Sequence, residues 1–323
     1  MNQLSLFLES IKSEETRRKY SLYLDKYFEF VGSNPTQPKQ IESKIIEFII
    51  HLKQQGKSYY AISNYIAPVK TFYIVNDVLL NSRKIDKFFP ENIRSRQDRA
   101  YTHSEISKML EIADERMRVI ILLLVSTGIR VGAVQSIRLG NLQDIKLIVY
   151  ENSNEEYFTF ITPECKKAID SYLDMRARYG EKLNDDSYLV REQFDVRCLS
   201  KSKQFKKNAI QFKLYDLCKR AGIDKKDVAV AHGFRKFFTT QMINADVNPE
   251  VREMLLGHKI GLTGSYYRPT EDKMYSEYEK AIDSLTINEE NRLRKKVEVL
   301  TIEKSRIDRI EEKMLKMEQM YQK

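Results

Sequence analysis

The seven residues Val119 to Val125, VIILLLV, are apolar without interruption. A segment with no polar face has to be buried all round, so the chain must wrap a core about it. It is far too short to cross a bilayer, which takes about twenty residues. The run leads directly into Ser126-Thr127-Gly128-Ile129-Arg130.

Helices should dominate what surrounds it. The 323 residues include only eleven glycines and seven prolines, and apolar positions recur at helical spacing along most of the chain. Thr16 to Val31 carries a stripe at Tyr20, Leu24, Tyr27, Phe28 and Val31, and Pro35 and Pro38 then break the chain. A second stripe runs from Ile41 through Ile45, Phe48, Ile49 and Leu52 to Gly56. A third follows Ser58 through Ile62, Tyr65, Ile66, Val69, Phe72 and Tyr73.

The length suits two domains. Residues 1–90 read as a helical domain. Residues 91–99, with three arginines, read as an exposed basic linker suited to lie against phosphates. Residues 100–285 form a second domain, opened by the capping box Thr102-His103-Ser104-Glu105. Within it, Lys146 to Tyr150 and Tyr157 to Ile161 alternate in polarity about a polar turn and predict a hairpin, the one sheet expected. Helical patterns resume at Pro163 and continue to about Leu285. Residues 286–323 read as an amphipathic helical or coiled-coil tail, dense in Lys, Arg and Glu.

A net charge of +9 favours a polyanionic partner, nucleic acid first. Cys165, Cys198 and Cys218 are scattered, form no CxxC and suit a reducing cytosol. The four histidines show no zinc-ligand spacing. The start, Met1-Asn2-Gln3-Leu4-Ser5, lacks the pattern of a signal peptide.

Chemistry-bearing residues gather late in the chain. His232 and Arg235, in AHGFR, lie three apart on one face at the start of a helix ending near Asn244. Free N–H groups at that helix end favour anions. Asn248-Pro249 caps another helix, which stops at Gly257, and His258 follows. Nine residues on stands Tyr267, preceded by Tyr266 and followed by Arg268-Pro269. Each has an ordinary reading by itself. A histidine at a helix end is commonly a surface or capping residue, HxxR is a weak motif, Tyr-Tyr pairs are common, and Arg130 could pair with a nearby acid.

Jointly, TGIR at 127–130, HGFR at 232–235, LLGH at 255–258 and the tyrosine nine residues later resemble the tyrosine recombinase, or phage integrase, family. The wording is similar to archaeal integrases and to Xer-like catalytic domains. The likeness is strong over residues 100–285. It is looser over the N-terminal helices, which resemble the family's SAM-like core-binding domain. It implies a mainly α fold with a small β-hairpin or sheet, arranged as a two-domain DNA clamp. It also implies a site-specific recombinase that cleaves and rejoins DNA strands through a 3′-phosphotyrosyl intermediate, with neither metal nor ATP. The partners implied are double-stranded DNA and further copies of the chain, as a tetramer on paired sites. No cofactor, membrane or small-molecule substrate is expected, and the location expected is cytoplasmic and nucleoid-associated.

The resemblance also assigns roles. Arg130 and Arg235 would hold the non-bridging oxygens of the scissile phosphate, since forked guanidinium donors offset the charge of a pentavalent transition state. Tyr267 would attack phosphorus and displace the 5′ hydroxyl, with His232 as general base and His258 hydrogen-bonded to the phosphate. The nine-residue interval favours Tyr267 over Tyr266, which would then be a packing residue.

Two departures from the family pattern stand out. No lysine occurs between Lys146 and Lys166, where the family places a hairpin lysine that protonates the leaving oxygen; Lys146 is the nearest substitute. Ala133 stands where an acid is usual. Two other readings therefore remain: a weakened or inactive DNA-binding protein on the same fold, and a type IB topoisomerase-like relaxing enzyme. His232 argues against the second, because those enzymes usually carry lysine there.

Overall fold

The computed structural model describes residues 3–32, 35–93, 98–192, 203–261 and 266–293, together with 297, 300, 301, 304–307, 309 and 310. The chain divides into two compact units, Met1–Ser95 and Arg96–Lys323.

In the first unit the apolar stripes become α1 (Gln3–Glu9), α2 (Glu14–Val31), α3 (Pro38–Gln54), α4 (Tyr59–Val75) and α5 (Ser82–Asp86). The Ser13 and Ser58 side chains accept from Thr16 N and Ala61 N and so start α2 and α4. Such caps contribute about 1 kcal/mol each. The stripes meet in a core of Phe7, Leu24, Tyr27, Ile45, Ile49, Ile66, Val69 and Phe72. Glu42 on α3 accepts from Asn81 N and from Lys84 Nζ, which ties α5 back to the bundle.

The second unit is built round the apolar run. α6 (His103–Ile112) starts at the Thr102/Glu105 capping box, and α7 (Glu115–Thr127) contains VIILLLV, buried at every position from Val119 to Thr127. Packed about it are α9 (Pro163–Arg178), α11 (His232–Asn244), α6 and strand β3. Three antiparallel strands lie in the order β1 (Leu142–Gln143), β2 (Lys146–Val149) and β3 (Tyr157–Phe160), with Lys146 opposite Phe160 and Val149 opposite Tyr157. Leu147 and Val149 turn inward while Lys146 and Ile148 are half-exposed, the alternation of a one-sided sheet. Further α-helices among the described residues are α8 (Val131–Val134), α10 (Lys207–Arg220), α12 (Pro249–Leu255), α13 (Glu271–Glu279) and α14 (Ile282–Leu285).

Two expectations need correction. The sheet has a third strand, β1, which pairs with β2 over two residues only, too few to show an alternation in sequence. The helical pattern read from Pro163 to about Leu285 is also interrupted, because the described residues between Tyr179 and Lys206 are not helical. Part of that stretch is pinned by buried charge. Glu181 accepts from Arg176 Nε and Nη2 and pairs with Arg191 at 3.2 Å, and Arg176 also donates to the Tyr188 and Leu189 carbonyls. Apolar spacing does not register a backbone folded around an ion trio.

Cys165 and Cys218 are buried free thiols. Cys198, linker residues 94–97 and most of the 286–323 tail lie outside the described residues; Glu289 to Leu293 are helical. Among the described residues no helix is long and apolar enough to cross a membrane.

Candidate active site

The end of α7 delivers Arg130. Gly128 closes the helix at φ +61°, and a Cβ there would lie 2.6 Å from the Phe238 ring of α11. Only glycine permits both that conformation and that approach. Thr127 Oγ1 accepts from Ile129 N and fixes the turn, after which Arg130 starts α8 with its side chain exposed.

Arg235, one turn into α11, is buried. Its Nη1 donates to Gly128 O and its Nη2 to Leu256 O, both at 2.7 Å. These carbonyls cap the C-termini of α7 and α12, the negative ends of two helix dipoles. Burial, followed by the neighbouring Arg130 charge, pulls the Arg235 pKa below the ordinary value. The two carbonyls offset that cost.

His258 sits just past Gly257, which has φ +67°. The ring of Tyr157 covers that glycine so closely that a Cβ would come within 2.3 Å of it. His258 Nε2 lies 2.7 Å from Arg235 Nη2, and its Nδ1 lies 2.6 Å from Glu253 Oε2. Arginine can only donate, so Nε2 accepts and the ring proton resides on Nδ1, directed at the carboxylate. Burial is the main cause that pushes the Tyr157 phenol up to about 12, against the pull of Arg235.

Two clefts adjoin at Arg130. One, of about 660 Å³, is lined by Arg130, Gly132, Tyr150, Lys207, His232 and Arg235 among others. The other, of about 750 Å³, is lined by Arg130, Glu155, Tyr157, Gly257, His258 and Lys259 among others. Burial first, then Lys236 and Arg235, hold the His232 pKa below the ordinary histidine value. Its imidazole is therefore neutral at neutral pH and able to take a proton. Two guanidiniums and a neutral imidazole border one cleft, and the arginine-bonded imidazole borders the adjoining one, which it shares with Arg130. The arrangement suits a phosphodiester, whose anionic oxygens would relieve the mutual repulsion of the arginines.

Four of the five residues singled out in the sequence thus come together: Arg130, His232, Arg235 and His258. Tyr267 is half-buried against the core, lines neither cleft, and is bonded to none of those four among the described residues. Tyr266 is 90 % exposed. The stretch 262–265, between His258 and these tyrosines, is outside the described residues.

Lys146 lies elsewhere. Its Nζ meets Glu271 Oε2 at 2.5 Å, and it lines a separate cleft with Met254 and Met274. Ala133 is completely buried, so an acid there would need a partner within the core. Sequence reasoning passed over Glu253, Tyr150 and Lys207. Glu253 was within reach, lying five residues before a histidine whose helix ends between them. Tyr150 takes a left-handed φ of 56° at the end of β2, and Lys207 is placed by a contact with distant Gln135; neither leaves a local signature. Among the described residues no group of His, Cys, Asp or Glu is arranged to hold a metal ion.

Residues 99–273 match the phage integrase family model. Tyrosine recombinase XerC of Leptospira interrogans is 24 % identical over 291 residues, which cover 85 % of this chain and 90 % of that protein. Tyrosine recombinase XerA of Pyrococcus furiosus is 26 % identical over 282 residues, covering 84 % and 89 %. Among solved structures, the Tn1549 transposon integrase in complex with transposon right end DNA has a TM-score of 0.59 at 18 % identity, covering 87 % of this chain and 99 % of that one. A lambda integrase tetramer bound to a Holliday junction has a TM-score of 0.58 at 15 % identity, covering 83 % and 76 %. These structural likenesses bear on the fold.

Proposed function

The chain belongs to the phage integrase family, the tyrosine recombinases, and on that premise we propose that it cuts and rejoins double-stranded DNA at a specific site through a 3′-phosphotyrosyl intermediate. The observation that carries this reading is the convergence of Arg130 and Arg235 on one cleft with His232.

In this mechanism Arg130 and Arg235 grip the non-bridging oxygens of the scissile phosphate. Arg235 is held rigidly by two carbonyls, so little reorganisation is needed as negative charge grows. His232 takes the phenol proton of Tyr267, and the phenolate oxygen attacks phosphorus. Glu253 orients the His258 ring through Nδ1, so that its Nε2 edge stands beside Arg235 at the bound phosphate. The ester exchanged for P–O5′ is another phosphate ester, so the bond energy is retained. A second strand's 5′ hydroxyl can then reverse the step with no nucleotide consumed. The first unit and the linker add phosphate contacts, and the chain assembles as a DNA-dependent tetramer in which the tail beyond residue 285 reaches a neighbouring copy.

The test is a duplex bearing the cognate site and nicked next to the scissile phosphate, so that the short cleaved strand diffuses away. Trapped covalent protein, and strand exchange between two such sites, support the proposal. Tight binding without an adduct would instead indicate a binding-only protein, the reading that the missing hairpin lysine favours. Relaxation of supercoiled DNA without exchange would indicate a topoisomerase-like enzyme.

A further inference from the structure

We propose that Lys207 is the proton donor to the departing 5′ oxygen, and so a catalytic residue for strand cleavage; this rests on the reading above. When phosphorus bonds to the tyrosine oxygen, the P–O5′ bond breaks and its electron pair stays on O5′. A free alkoxide is a poor leaving group, so a proton must reach O5′ as the bond breaks. Guanidinium holds its proton too tightly to give it. The donor has to be another acid bordering the arginine cleft.

Besides His232, which serves as the base, three side chains meet that description, Lys207, Tyr150 and Tyr215; the Tyr215 hydroxyl is engaged by Lys225 Nζ, which donates to it at 3.5 Å. Burial holds the Tyr150 phenol above its ordinary pKa, which makes it the weaker acid of its kind. Lys146 is engaged by Glu271 outside this cleft.

Lys207 is built into place. Gln135, just past α8, accepts from Lys207 N through Oε1 at 2.9 Å and from Gln204 Nε2 through its own carbonyl at 3.0 Å. The start of α10 is thereby clamped to the segment that carries Arg130. The Lys207 stem lies over Gly132, two residues beyond Arg130, with Cδ 3.6 Å from where a Cβ would stand. Gln211 and Tyr215, one and two turns along α10, line the same cleft, while Ile210, Leu214 and Leu217 anchor the other face of the helix in the core. Among the described residues, no carboxylate forms an ion pair with Lys207. An ammonium without a carboxylate partner is free to surrender its proton to O5′. It becomes an amine and recovers the proton when a 5′ hydroxyl attacks the phosphotyrosine in the resealing step.

The experiment compares adduct formation on two suicide duplexes, one with the ordinary 5′ oxygen and one with sulfur in that bridging position. A thiolate leaves without protonation, because thiols ionise at a pKa of about 8.5. Wild type should form adduct on both. Lys207→Ala should lose about 100-fold or more on the oxygen duplex and return to within several-fold of wild type on the sulfur duplex. Lys146→Ala should match wild type on both. Equal impairment of Lys207→Ala on both duplexes would make Lys207 a phosphate-binding or structural residue and overturn the proposal. So would full activity on both, or sulfur rescue seen in Tyr150→Phe instead. Wild type inactive on both duplexes would overturn the recombinase reading itself, and this inference with it.

Discussion

Arg235 Nη2 stands 2.7 Å from His258 Nε2 while also donating to Leu256 O at 2.7 Å. One nitrogen thus joins the guanidinium on α11 to the histidine after α12, and the opposite nitrogen reaches the end of α7. Lysine keeps the charge but has a single nitrogen and no fork. Arg235→Lys should therefore reduce adduct formation on the suicide duplex by at least about 100-fold, an effect of the size seen when one transition-state donor is lost. Gel-shift affinity for the uncleaved site should change far less. Comparable losses in both assays would mean that Arg235 serves binding or folding.

The His232 pKa is depressed from the ordinary 6.5, with burial the main cause. A depressed value keeps the base unprotonated to lower pH. If His232 accepts the nucleophile's proton, single-turnover adduct formation should hold as pH falls to 6.5 and decline only below it. His232→Gln should remove that acid limb. An unchanged limb in the variant would assign the titration to another group.

Gly257 combines φ +67° with the Tyr157 ring 2.3 Å from where a Cβ would be. Gly257→Ala should lower stability by more than about 1 kcal/mol, the ordinary cost of alanine at positive φ. It should also displace His258, the next residue. Thermal unfolding and adduct formation should both fall, and a variant with wild-type values in both would contradict this packing.

Glu277 on α13 is buried and accepts from Lys280 Nζ, Lys273 Nζ and Asn248 N, the last of which ties α13 to the start of α12. These bonds, that with Lys280 first, lower its pKa from 4.5 to about 2. A depressed carboxylate stabilises the fold above its unfolded value, and that contribution is lost as pH drops from 4.5 through about 2. Glu277→Gln should unfold at lower temperature at neutral pH, and its melting temperature should vary less with acid than that of wild type. Parallel melting curves across that range would contradict the assignment.

Much of this was legible in the sequence because it is encoded locally. The Thr102 box, the uninterrupted run before Gly128, the Pro249 start and the Gly257 stop each fix a helix end through a few neighbouring residues. Those helix ends carry Arg130 and His258. What stayed hidden depends on contacts distant in sequence. The carbonyl anchors of Arg235 come from residues 107 and 21 positions away. Lys207 is set by Gln135, 72 positions away, and the turn after α9 is set by the Arg176, Glu181 and Arg191 charges.

The central claim concerns Tyr267, and the most direct test is to map the adduct. Wild type, Tyr266→Phe and Tyr267→Phe would each be trapped on the nicked suicide duplex, and the DNA-linked peptide identified by mass spectrometry. The account predicts a nucleotide on Tyr267 in wild type and in Tyr266→Phe, and no adduct in Tyr267→Phe. A nucleotide on Tyr266, or an adduct that persists in Tyr267→Phe, would contradict it.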